Sequence, residues 1–114
     1  MTSGHYRYPA EKLAATRRIL MAPHAKGETD AFGHAFHECD LGLRDVRPDD
    51  LDDNARSWVR TIRQTMDTTG IDDPEGRGTG FIKAERLSIE EKSRFSSAVD
   101  ELAHWFHERF MGRE

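Results

Sequence analysis

The chain has a single cysteine, Cys39, among its 114 residues. No disulfide can therefore form within it, and no cysteine-only zinc site can be assembled. Cys39 falls on an apolar stripe, where a buried thiol is expected, and this cysteine usage fits a reducing compartment. No apolar run approaches the ~20 residues of a membrane-spanning helix. The opening Met-Thr-Ser-Gly-His-Tyr-Arg-Tyr-Pro lacks the hydrophobic region of a signal peptide, so the expected location is cytoplasmic, with no membrane partner. Positive charge is not in excess either. A formal net charge of −4 gives no global electrostatic case for nucleic acid or an anionic surface. The glycines of Gly76-Arg77-Gly78-Thr79-Gly80 carry neither the Gly-Lys-Ser/Thr of a P-loop nor a Gly-x-Gly-x-x-Gly opening a helix, so they make no phosphate cradle.

What is present is helical periodicity. The clearest segment is 88–111, where Phe95, Val99, Leu102, Phe106 and Phe110 follow at spacings of four, three, four and four, flanked by Ala98 and Trp105. That is one apolar stripe on an α-helix. Ser88 and Glu91 form a capping box at its start. Upstream, residues 1–8 are expected to be an extended arm, and Pro9 suits the first turn of a helix running to Met21. A second helix is expected from Thr29 or Asp30 to about Val46, with Phe32, Ala35, Phe36, Cys39, Leu43 and Val46 on one face. Pro48 is expected to open a third, with Asp49, Asp50, Asp52 and Asp53 near its positive end. Its apolar face would carry Leu51, Ala55, Trp58, Val59, Ile62 and Met66.

Residues 67–80 hold four glycines, a proline and three aspartates and read as a flexible exposed loop. The piece from Phe81 to Leu87 is too short for its period to separate a strand-like crossing from a helical turn. The expected architecture is all-α: one domain over 1–114, like a four-helix bundle, with a long Gly/Asp-rich loop before the C-terminal helix.

Three groups of polar residues suggest chemistry. His34 and His37 on the second helix, and His104 and His107 on the fourth, are pairs three apart, and Glu101 with His104 has the Glu-x-x-His spacing of di-iron bundles. At about 100° per residue, however, His104 lies roughly 160° from the Phe-rich stripe, and His34 and His37 point away from Phe32 and Phe36. A metal in the bundle core is therefore not expected, and the histidines read as outer surface or as half of a site completed by a partner. The second group is the arginine stripe Arg56, Arg60 and Arg63, preceded by Arg44 and Arg47. It can track phosphates, but the neighbouring aspartates would pair with it. The third is Cys39 with His37, which diverge as near neighbours on a helix and do not make a nucleophile and its base.

The order Tyr8-Pro9-x-Glu11-Lys12-Leu13, then Pro48-Asp49-Asp50-Leu51, then Leu87-Ser88-x-Glu90-Glu91-Lys92 resembles a diffuse group of small bacterial proteins of unknown role. These motifs are caps and core positions, so the resemblance implies a helical fold and carries over no catalytic residue. The functional expectation is a cytoplasmic interaction protein, a regulator, adaptor or inhibitor, without catalysis or cofactor. Its partner is another protein or a second copy of the chain, and its contact candidates are Ile19, Leu41, His104 and Glu108. The alternatives are a nucleic-acid-associated regulator using Arg56, Arg60 and Arg63, and a metal-binding surface.

Overall fold

The computed structural model describes residues 6–111, and among them every regular element is helical. Five α-helices follow in order: α1 (Arg7–Met21), α2 (Glu28–Leu43), α3 (Asp53–Met66), α4 (Thr79–Glu85) and α5 (Ile89–Phe110), with a 3-10 turn at Pro48–Asp50. The expectation of four helices is thus corrected to five.

Helix α5 is the spine. The Ser88 hydroxyl accepts from the Glu91 N–H at 3.1 Å while Glu91 accepts from the Ser88 N–H at 2.9 Å, so two otherwise orphaned donors are satisfied where the helix begins. Phe95, Val99, Leu102 and Phe106 are wholly buried. Around them pack α1 and α2, with Phe36 and Phe95 in edge-to-face contact at 5.1 Å between ring centres. Gly42 lets α1 approach α2 closely, since a Cβ there would lie 2.6 Å from the Lys12 Cβ.

The boundaries shift for local reasons. The arm expected over 1–8 is helical from Arg7 onward, and its first five residues lie outside the described residues. Pro9 sits third in α1 rather than first, at no cost, because first-turn N–H groups have no intrahelical partner. Helix α2 stops at Leu43 instead of reaching Val46. Arg47 is extended, at φ −100° and ψ 149°, as a residue before proline prefers. Pro48 opens only the 3-10 turn. Helix α3 is capped by Asp52, whose carboxylate accepts from the Ala55 N–H at 2.9 Å, while Leu51 remains extended and turns into the core. Trp58 is half-buried against the core rather than part of it.

The connection expected over 67–80 is shorter, because Thr79 and Gly80 belong to α4. Its turns are held by aspartates: Asp73 accepts from the N–H groups of Arg77 and Gly78, each at 2.8 Å, and Asp67 accepts from Thr69. Asx hydrogen bonds of this kind fix a backbone without apolar burial, a term that the composition of the segment does not reveal. Gly78, at φ 99°, then serves as the N-cap of α4, in a conformation that a side chain would strain. The segment that periodicity left undecided between strand and helix is this helix. Phe81 lays its ring on Gly33 of α2.

Candidate functional site

The four histidines are exposed, on the outer faces where the helical wheel puts them. His34 lies 3.5 Å from Asp30 and meets the ring of Phe81 edge-on at 5.4 Å. His104 and His107 line a shallow depression of about 420 Å³ between α1 and α5, together with Arg17, Arg18 and Glu101. Asp100 lines it too and pairs with Arg17, so the two guanidinium groups there are offset by two carboxylates. Among the described residues no three of His, Cys, Asp and Glu are grouped so as to hold a metal ion. The two histidine pairs, on α2 and α5, are not brought together with further ligands.

Of the partner-contact candidates, His104 is exposed, whereas Ile19, Leu41 and Glu108 are half-buried. Ile19 packs against the core. Leu41 lines a pocket of about 300 Å³ with Tyr6, Tyr8 and Phe106. The structure thus corrects the view of Ile19 and Leu41 as exposed contact surface, because the wheel of one helix cannot register neighbouring helices that cover its flank. The large apolar side chains that do face solvent are Tyr8, Met21, Ile89 and Met111, which lie on separate parts of the chain.

The arginine stripe gives a different result. Arg56, Arg60 and Arg63 rim a groove of about 450 Å³ whose apolar lining is Val46, Pro48, Leu51 and Val59. Two of the arginines are anchored by backbone carbonyls: Arg56 Nε donates to Pro48 O at 2.9 Å, and Arg63 Nη2 to Leu43 O at 2.9 Å. Arg56 also pairs with Asp53 at 3.2 Å. Arg60 is exposed and has no hydrogen bond or ion pair among the described residues. The aspartates expected to neutralise the stripe therefore reach only Arg56. Asp67, the one carboxylate in the lining, is engaged by Thr69, whose hydroxyl and N–H hold it below the usual carboxylate range.

The wall of this groove is fastened to α5 through Asp52. Besides capping α3, Asp52 accepts from the Trp105 indole N–H at 3.0 Å, and Arg109 lies over the Trp105 ring at 4.4 Å. The Ala55 N–H and then the indole depress the Asp52 pKa, so the carboxylate is ionised wherever the fold is intact near neutrality. No reading of α3 as an isolated helix finds this bond. The clue was the choice among four neighbouring aspartates, which only a tertiary partner decides.

The remaining reactive groups are disengaged. Burial pushes the Cys39 thiol up to about 12, which removes the thiolate needed for nucleophilic attack. A cleft of about 700 Å³ brings His37 and Asp40 near Phe36, Met66 and Phe81. Asp40 is paired with Arg44 at 2.6 Å. No helix among the described residues is long and apolar enough to cross a membrane. Comparison of the chain with protein-family models, with curated proteins and with solved structures finds no match.

Proposed function

We propose that this chain is a small cytoplasmic protein that acts by binding another protein, as a regulator, adaptor or inhibitor, with no catalysis of its own. The observation that carries the reading is the groove beside α3. Helix α3 packs on α5 and touches α4 only slightly, so its flank between Arg56 and Arg63 is left beside an apolar trough. A concave apolar floor with a polar rim is the anatomy of a protein contact, with the fully desolvated centre supplying most of the affinity.

A nucleic-acid-associated regulator would draw on the same arginines. Against it stands the floor itself, which is aliphatic and offers no ring for a base to stack on.

The test is a photo-crosslinking residue placed at Gln64, an exposed position in the groove lining, with Ser97 on α5 as the control position. The expected result is a discrete crosslinked protein at Gln64 that is missing at Ser97; a product of twice the chain mass would identify that partner as a second copy. Equal labelling at both positions, together with a monodisperse 13.1 kDa species in light scattering, would sink the reading.

A further inference from the structure

The geometry points to an acidic amphipathic helix as the occupant of the α3 groove, with its carboxylates meeting Arg56, Arg60 and Arg63 and its aliphatic side chains entering the trough between them. This rests on the protein-binding reading above and adds the chemistry of the partner.

Charge complementarity is the first argument. The chain as a whole is −4, yet three guanidinium groups and only one carboxylate line this groove. A local reversal of sign on an acidic protein makes the groove complementary to a negative partner. Arg56 and Arg63 are held in place by main-chain carbonyls, so little side-chain freedom remains to be lost when they meet a carboxylate. Arg60, between them and without a partner among the described residues, is the group with most to gain. Guanidinium favours planar, two-pronged contact with a carboxylate, a selectivity that a lysine rim would not have.

Spacing is the second argument. The three arginines are four and three residues apart on one helix, so they span about 10.5 Å at 1.5 Å per residue. A helix lying alongside α3 presents side chains at the same rise, and carboxylates at i, i+3 or i+4, and i+7 fall opposite the three arginines. Residues on the adjoining flank of that partner helix would be Leu, Ile or Val, to match Val46, Leu51 and Val59. This is the helix-in-groove mode of recognition. The 14 residues of α3 give a wall of about 21 Å, so a partner segment of about four turns covers it.

The experiment is selection of 16-residue peptides from a random display library on the full chain, with counter-selection against Arg60→Glu, followed by titration of the enriched peptides at two salt concentrations. Arg60→Glu is expected to fold, since Arg60 is exposed and unpartnered among the described residues; an unchanged thermal melt checks this, and Arg60→Ala is the second variant. The expected consensus has acidic residues at helical spacing with aliphatic residues beside them. Its binding should weaken at least tenfold on Arg60→Glu, weaken less on Arg60→Ala, and fall as salt is raised. Enrichment of neutral or basic peptides, no enrichment at all, or binding indifferent to Arg60 overturns the proposal. So does Arg60-dependent binding of labelled RNA or DNA where no peptide is enriched, and that outcome assigns the groove to nucleic acid. A Gln64 crosslink to a protein whose binding ignores Arg60→Glu would overturn only the acidic partner; loss of that crosslink would remove the protein-binding reading itself.

Discussion

The half of the molecule built by α1, α2 and α5 and the half built by α3 and α4 are held together differently. In the first, each pair of helices is joined by buried side chains and by one ion pair at the rim: Lys12 with Glu38, Arg17 with Asp100, and Lys92 with Glu28. Pairs at a solvent-facing rim add little stability, although Lys12 and Glu38 are half-buried; the placement of one pair on each of the three seams follows the register that the core sets. In the second half, α3 and α4 hardly touch. Besides their buried faces, they are fastened to the first half by Asp52 to Trp105 and Arg63 to the Leu43 carbonyl for α3, and by Phe81 on Gly33 for α4. A surface packed on every side has nothing left to offer a partner. A helix packed on one flank does, and the groove lies along the flank left open.

The largest effect should come from the first half. Phe95 is wholly buried and contacts the rings of both Phe32 and Phe36, so Phe95→Ala should cost about 3–5 kcal/mol, as for other buried aromatic truncations. Trp58→Ala on α3 removes a larger but half-buried ring and should cost less. Urea melts of the two variants decide it, and equal costs would break the contrast between the halves.

The seam between the halves comes next. Asp52→Ala removes a helix cap and the acceptor of the Trp105 indole N–H, but Asp52 is exposed and water can take its place, so a loss of about 1–2 kcal/mol is expected. The pH dependence has a definite sign. The Asp52 pKa is depressed in the folded state, so its contribution is present above the ordinary aspartate value near 3.9 and disappears as pH falls through the folded value. The gap between wild type and Asp52→Ala should therefore be widest near neutrality and narrow below about pH 4. Denaturant melts at pH 7 and pH 3 measure it. A gap that held constant with pH would mean that the ionised carboxylate does not fasten α3 to α5.

How legible each half was follows from the same difference. Helix α5 could be read directly, because Ser88 and Glu91 mark its start and a 22-residue element repeats its period several times over. The outward direction of His104 and the burial of Cys39 follow from the same wheel. Helix α4, at seven residues, has too few turns to show a period, and its seat is a glycine that in sequence looks only like an unfavourable residue within α2. The cap of α3 was hidden among Asp49, Asp50, Asp52 and Asp53, since all four suit a helix start and only Trp105 singles one out. The groove was half visible: its arginines stand in one helix, but its floor is gathered from Val46, Pro48, Leu51 and Val59, and no single-helix wheel assembles residues from a connection and a helix.

The smallest effect is the most discriminating, because its sign depends on context. A Cβ at position 33 would lie 2.2 Å from Cδ1 and 2.3 Å from Cε1 of Phe81, well inside contact distance, so in Gly33→Ala the ring must leave its seat. Against this, alanine in a helix interior gains about 0.8–1 kcal/mol over glycine. In the wild-type background the lost Phe81 packing should outweigh that gain, giving a small net destabilisation and faster amide exchange confined to α4, the signature of local opening. In a Phe81→Ala background no ring remains to be displaced, and Gly33→Ala should stabilise by most of its helix propensity. A sign change of this kind corresponds to a coupling of about 0.5–3 kcal/mol between two residues in contact. Urea melts of the four members of the cycle supply the coupling, and additive effects would show that α4 does not depend on that seat. If the sign does reverse, the Phe81 ring on Gly33 is part of what seats α4 on α2, beside the buried Ile82 and Ala84.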